Sequence, residues 1–179
     1  MASTAFTKGP LTAVKTFIGV VRKTLSHQNI NAWAKLLLLA DSLFTWYIIT
    51  KTPYTNVDFE AYMHEVEPVL SRGETDYSKL HGPTGPIAYP AGLVYFFGSL
   101  HLLTDGGRDI ATAQQVFLAF HMATVFIISK LYDLAGAPAW VLILSLLSKR
   151  IHSVFVLRLF NDPIATFFLL KKNANEIFG

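Results

Sequence analysis

The stretch AKLLLLADSLFTWYIIT, Ala34 to Thr50, decides the fold. Lys35 opens it and one acid, Asp41, interrupts it. With its flanks the run approaches the roughly 20 apolar residues that cross a hydrocarbon core. Two further runs, IAYPAGLVYFFGSLHLL (Ile87 to Leu103) and VFLAFHMATVFIISKL (Val116 to Leu131), have the same character. A soluble α/β chain breaks such runs with polar residues. Composition agrees: the 179 residues are 52% hydrophobic and 15% charged, against roughly 25% charge in soluble domains, and mean hydropathy is +0.40. These features predict an all-α, multi-span transmembrane helical protein.

The net charge of +3 does not point to nucleic acid, because the excess is local. Residues 1 to 35 carry Lys8, Lys15, Arg22, Lys23 and Lys35 and no acid, the pattern of a cytoplasmic flank under the positive-inside rule. A disordered basic tail is compatible with the same residues. A cleavable signal peptide is disfavoured, since no small-x-small site follows the first apolar run closely. The expected order is a basic segment over residues 1–31, a membrane region over 32–170 and a polar tail, KKNANEIFG, over 171–179. The first span is read as Ala32 to Thr50, and residues 51–86 as the first non-cytoplasmic loop. A second span follows at Ile87 to Leu103, the turn TDGGRD, and a third span near Ile110 to Leu131. Gly136 and Pro138 mark a further turn. The run from Val141 to Leu170 then makes two short crossings broken at Lys149 and Arg150, or one hairpin buried in protein. There is no cysteine, and no N-x-Ser/Thr sequon, internal repeat or phosphate-cradling GKS/T loop.

The loop is unlike its surroundings. It holds six of the twelve acids, four of them within TNVDFEAYMHEVE (Thr55 to Glu67). Phe59, Tyr62, Met63 and Val66 recur at i, i+3, i+4 and i+7, the stripe of an amphipathic helix lying against the membrane or the helices beneath it. Pro68 is compatible with an end near Glu67. Asp58 and Glu65 fall on one face, two turns apart. The following segment, HGPTGPIAYPAG, interleaves Pro83, Pro86 and Pro90 with Gly82, Gly85 and Gly92, giving a stiff, irregular backbone able to approach a ligand closely.

Asp58 admits two roles. Thr55 followed by an acid three residues later is close to a capping box, and an acid in a first turn favours the helix dipole. A carboxylate at the membrane surface is also a general base for a hydroxyl, an effect worth about 10² to 10⁴ in rate. Glu60, Glu65 and Glu67 read as a solvated face. Asp58 and Glu60 form a D-x-E pattern able to hold a divalent ion with a phosphate, a weak signal in any acidic loop. The six histidines are scattered without an H-x-x-x-H pair, so no zinc site is expected. His81, beside the Gly/Pro turn, is a candidate phosphate or sugar contact. Asp41, Arg158, Asn161 and Asp162 stand in apolar surroundings, where a charge at mid-span costs roughly 2.5–3.5 kcal/mol, and so must face protein or water. On a continuous helix Arg158 and Asp162 would meet at i+4, as an ion pair or as a phosphate contact. Lys35 and Lys130 fall near span ends, placed to snorkel.

Four segments carry a resemblance to a known family: TNVDFEAYMHEV, DYSKLHGPTGPIAYPAG, GRDIATAQQVF and above all HSVFVLRLFNDP. In this order, over roughly residues 31 to 168, the chain resembles the dolichyl-phosphate-mannose-dependent alpha-1,3-mannosyltransferases of asparagine-linked glycosylation. The resemblance implies a C-type glycosyltransferase fold in the endoplasmic reticulum membrane, with a catalytic acid on a lumenal loop after the first span. It implies dolichyl phosphomannose as donor, a pentamannosyl dolichyl-diphosphate oligosaccharide as acceptor, the lipid bilayer as surroundings, and no cofactor or metal. Asp58 matches the catalytic acid. Glu60, His81, Gly82, Thr84, Gly85, Tyr89, Arg158, Asn161 and Asp162 match motif positions expected near substrate. Family members are longer and this chain leaves their pattern near Leu170, so it is expected to be a truncated member. The competing readings are a glycolipid-binding membrane module without chemistry, and a transport subunit motivated by Asp41, Arg158 and Asp162.

Overall fold

The computed structural model describes residues 10–24, 26–55, 58–83 and 85–178. Helix α1 (Pro10–Thr24) starts on a proline, whose missing N–H costs nothing in a first turn, and ends on Arg22 and Lys23, which suit the carbonyl end of the helix dipole. Val14, Phe17, Ile18 and Val21 leave an exposed apolar stripe along it. Over these residues the basic flank is an amphipathic helix and not a disordered tail, because its apolar residues repeat at the helical period.

Helix α2 (Ile30–Lys51) and helix α5 (Ile110–Leu134) are both long and apolar enough to cross a membrane. Their 22 and 25 residues rise about 33 and 37 Å, against a hydrocarbon core of about 30 Å. Leu36, Leu39, Leu43, Phe44, Trp46 and Tyr47 of α2 are apolar yet exposed, which suits a helix whose outer solvent is lipid. Helix α4 (Ala91–Leu103) is shorter than the expected span. Ile87 to Pro90 stay outside the helix ahead of it, and its 13 residues rise only about 20 Å. The run after Gly136 breaks repeatedly. Helix α6 (Trp140–Leu146) and helix α7 (Lys149–His152) lead into a π-helical turn, Ser153–Leu157, and the chain restarts as α8 (Asp162–Phe178). Residues 171–178, expected to be a polar tail, continue α8, and Ala174 on them is buried.

The loop helix α3 (Phe59–Arg72) forms as its stripe predicts, with Phe59, Tyr62, Met63 and Val66 all buried. It does not stop at Glu67. Pro68 lies inside it and removes only the hydrogen bond to the carbonyl of His64, an exposed residue whose carbonyl can turn to water. The end comes at Gly73, whose φ of 65° is the left-handed cap that favours glycine. An all-helical reading omits one small feature: His81–Gly82 (β1) and Gly85–Pro86 (β2) pair as a minimal antiparallel hairpin. Alternating glycine and proline cannot continue a helix, and the hairpin folds back on α3.

The main core joins α3, α4, α5 and the start of α8. Phe59, Tyr62, Met63 and Val66 meet Leu80, Ile87, Val94, Phe97, Leu100, Phe117, Leu159 and Ile164. Burial of such side chains, at roughly 1.5–3 kcal/mol each, clamps the loop helix onto the apolar helices beneath it. Helix α5 also packs against α2 and α8. A smaller cluster of Ile30, Ala139 and Leu142 ties the start of α2 to α6.

Candidate active site

Asp58 is the residue immediately before α3, at its N-cap, because the helix begins where the buried stripe begins, at Phe59. Thr55 therefore lies outside the helix, and the expected capping box does not form. The Asp58 carboxylate makes no capping hydrogen bond either. It is half-buried, and its charge acts on three neighbours. Tyr54 is pushed up to about 12, by burial first and then by Glu60 and Asp58. Glu65 is held above its ordinary value by burial first and then by Asp58. Tyr62 is driven far up by burial, then by its hydrogen bond to Tyr89 and the charges of Tyr89 and Asp58, while the Asn161 backbone, bonded to its hydroxyl, acts the other way.

Glu65 corrects the reading of a solvated acidic face. Glu60 and Glu67 are exposed, but Glu65 is 4% exposed. It falls three residues after Tyr62, at the edge of the apolar stripe, and the hairpin closes over it. A Cβ built on Gly82 would stand 2.9 Å from the Ala61 carbonyl oxygen and 3.1 Å from Glu65 Cγ, so only glycine lets β1 lie this close to α3. Tyr62 joins the parts. Its ring meets Tyr89 edge-on at 5.4 Å and lies 4.4 Å from Phe97. Its hydroxyl is 3.5 Å from that of Tyr89. One side chain of α3 thus touches both the Gly/Pro segment and the segment before α8.

The other expected site residues divide. Asp58, Gly82, Tyr89 and Asn161 converge around Tyr62 and Glu65. His81 is exposed on β1, opposite Pro86. Gly85 turns the hairpin with φ +126°, a conformation L side chains rarely adopt, and Thr84 lies outside the described residues. Glu60 is exposed with His64 3.9 Å away. Arg158 and Asp162 are both exposed, and among the described residues no ion pair joins them. The i+4 geometry fails because the chain between them is not helical: Leu159 takes φ 54° and is fully buried, a left-handed residue that breaks the helix between the π-helical turn and α8. An open cleft of about 690 Å³ begins at the Asp58 end of α3, lined by Tyr54, Phe59, Glu60, His64, His101 and Arg108 among others.

A second polar group lies in the apolar half, where none was expected from histidine spacing. Asp41 of α2 is 5% exposed, His121 of α5 2% and His152 of α7 4%. His121 Nε2 lies 2.8 Å from Asp41 Oδ2, and His152 Nε2 lies 2.8 Å from Asp41 Oδ1. The histidines stand 80 and 111 residues from the aspartate in sequence, so no local spacing could announce the cluster. The available signal was that all three are ionisable residues inside apolar runs.

An apolar helical frame with two helices of membrane-crossing length, carrying an acidic surface helix over a Gly/Pro hairpin, defines a membrane protein with its candidate chemistry on a loop. The chain belongs to the ALG3 protein family, whose sequence model matches residues 35–174. It is 49% identical over 133 residues to the Neurospora crassa "Dol-P-Man:Man(5)GlcNAc(2)-PP-Dol alpha-1,3-mannosyltransferase", a match covering 74% of this chain and 30% of that protein. A Cryptococcus neoformans protein of the same name is 45% identical over 155 residues, covering 82% of this chain and 34% of the relative. The human protein of that name is 43% identical over 134 residues, covering 74% and 30%. The chain therefore spans about a third of the length of these curated relatives. No solved structure matches it.

Proposed function

We propose that this chain is the Asp58-bearing part of a mannosyltransferase of the C-type fold in the endoplasmic reticulum membrane, with the α3 loop on the lumenal side. It transfers mannose from dolichyl phosphomannose to the pentamannosyl dolichyl-diphosphate oligosaccharide in alpha-1,3 linkage. The observation that carries this reading is the family match over residues 35–174, which includes an Asp58 whose carboxylate is not occupied in capping.

The chemistry needs one base. An acceptor mannose hydroxyl gives its proton to Asp58, its oxygen bonds to the donor anomeric carbon, and the bond from that carbon to phosphate breaks. Dolichyl phosphate leaves with the electron pair. Phosphate is already a good leaving group, so the paired carboxylates of a hydrolase are not required. Attack from the face opposite the phosphate inverts a beta donor to an alpha product. Arg158 and His81 stabilise the developing charge on the phosphate. Glu60, Gly82, Thr84, Gly85, Tyr89, Asn161 and Asp162 shape the surrounding contacts, and Tyr62 and Glu65 hold the start of α3 in place.

The test is incubation of membranes containing this chain with dolichyl phosphomannose and the five-mannose lipid-linked acceptor, alongside Asp58→Asn. Six-mannose product from the unaltered chain, lost in the variant, is expected. Product undiminished in Asp58→Asn removes Asp58 as the base. Retention of acceptor with no product from either chain favours the glycolipid-binding reading.

A further inference from the structure

Asp41, His121 and His152 are not used by the reaction above, yet they come from three separate elements and meet in a buried group. Each offers one ligand atom, and these atoms all lie within 4.8 Å of one another. Asp41 precedes the end of α2 at Lys51 by about 15 Å of helix, so the group sits inside the membrane-length part of the chain, away from the α3 loop.

The hydrogen bonds determine where protons stand. His152 Nδ1 lies 3.1 Å from the Ser148 carbonyl oxygen, which can only accept, so Nδ1 carries the proton and donates it. On a neutral ring, Nε2 is then a lone pair, and it faces the Asp41 carboxylate at 2.8 Å. Two lone pairs at that distance repel, so either a second proton on Nε2 or a metal ion has to lie between them. A ring N–H donated to a backbone carbonyl is also the usual outer partner of a metal-bound histidine. His121 Nδ1 is buried with no hydrogen-bond partner among the described residues. It borders a largely apolar cavity of about 100 Å³ lined by Val125, Ile128, Leu142 and Phe155 among others.

We infer that Asp41, His121 and His152 form a binding site for a divalent first-row metal ion of the zinc class, tying α2, α5 and α7 together inside the membrane. Two imidazole nitrogens and one carboxylate oxygen are a borderline ligand set that suits zinc, with water in the fourth position. A cleft of about 700 Å³ lined by Asp41, Phe44, Thr52, His152, Ser153 and Leu157 among others gives an entry path. The ion takes the place of the proton between His152 and Asp41, and its role here is to position helices, with no step in the transfer.

The test uses the full chain purified in detergent, stripped with a chelator, reloaded with zinc and dialysed. Elemental mass spectrometry should find about one zinc per chain. Cobalt in its place should give the visible absorption of a four-coordinate site, displaced by zinc. His121→Ala and His152→Ala should each lower retained zinc by about ten-fold or more, while His64→Ala on the exposed face of α3 leaves it unchanged. Where a variant does not fold, the cobalt titration of the unaltered chain decides. No cobalt absorption, or equal zinc retention in a folded His121→Ala/His152→Ala double variant, overturns the inference and leaves a protonated histidine–aspartate group.

Discussion

Replacing Gly82 by alanine tests whether the hairpin must touch α3 for the Asp58 site to form. The added Cβ would stand 2.9 Å from the Ala61 carbonyl oxygen, 3.1 Å from Glu65 Cγ and 3.2 Å from Glu65 Oε1. The glutamate can rotate away, but the carbonyl is part of a helix backbone and cannot. Carbon and oxygen rest at about 3.3–3.6 Å, so β1 must retreat from α3 by about 0.4–0.7 Å. Overpacking of this kind costs about 1–3 kcal/mol. For a chain of this length that lowers Tm by about 2–4 °C per kcal/mol. Gly92→Ala is the matched control. It lies in the first turn of α4 with nothing within 4 Å of its built Cβ, so the same chemical change should stabilise by about 0.5–1 kcal/mol through helix entropy. The assay is thermal unfolding of the purified chain in detergent. Opposite signs are expected for the two variants; a Tm for Gly82→Ala equal to or above that of the unaltered chain refutes the close approach.

Two further outcomes follow from the same region. Glu65 has a folded-state value raised above the ordinary 4.5 by burial and then by Asp58, so the folded chain holds that proton more tightly than the unfolded one. The stability this contributes is present below 4.5 and lost as pH rises through the raised value; Glu65→Gln, always neutral, should lose less, and its Tm should gain on that of the unaltered chain from 4.5 towards neutrality, parallel curves counting against it. At Leu159, with φ 54°, glycine would relieve about 1–2 kcal/mol of left-handed strain but forfeit a buried leucine worth about 2–5 kcal/mol. Leu159→Gly should therefore lower the denaturation midpoint, and a raised midpoint would mean that strain outweighs packing there.

Much of the helical frame was legible because periodicity and apolar length are local properties. The stripe of Phe59, Tyr62, Met63 and Val66 needed only neighbours three and four residues away, and α2 and α5 needed only unbroken apolar runs. What failed depended on distant contacts. Pro68 could stay inside α3 because the carbonyl it leaves unpaired belongs to exposed His64, and Glu65 could be buried because Gly82 closes over it; neither fact is visible in TNVDFEAYMHEVE. Arg158 and Asp162 have the spacing of a helix pair, but buried, left-handed Leu159 between them breaks the helix, so spacing misled where the helix is interrupted.

The aspartate inside α2 and the one on the first loop separate for a related physical reason. Asp41 is buried within α2, and its two carboxylate oxygens face His121 and His152 at 2.8 Å, so both are committed inside the buried group. Its surroundings bind its lone pairs and leave it no freedom to act as a base towards an outside molecule. Asp58 stands past the end of α2, half-buried and with no hydrogen bond spent on the helix it precedes. Burial of Phe59 and Tyr62 anchors the start of the helix that follows it. A base for an acceptor hydroxyl needs that combination: a fixed position, an uncommitted lone pair and access to the membrane surface. Of the two, Asp58 is the one that the proposed reaction uses, since both oxygens of Asp41 already face histidines.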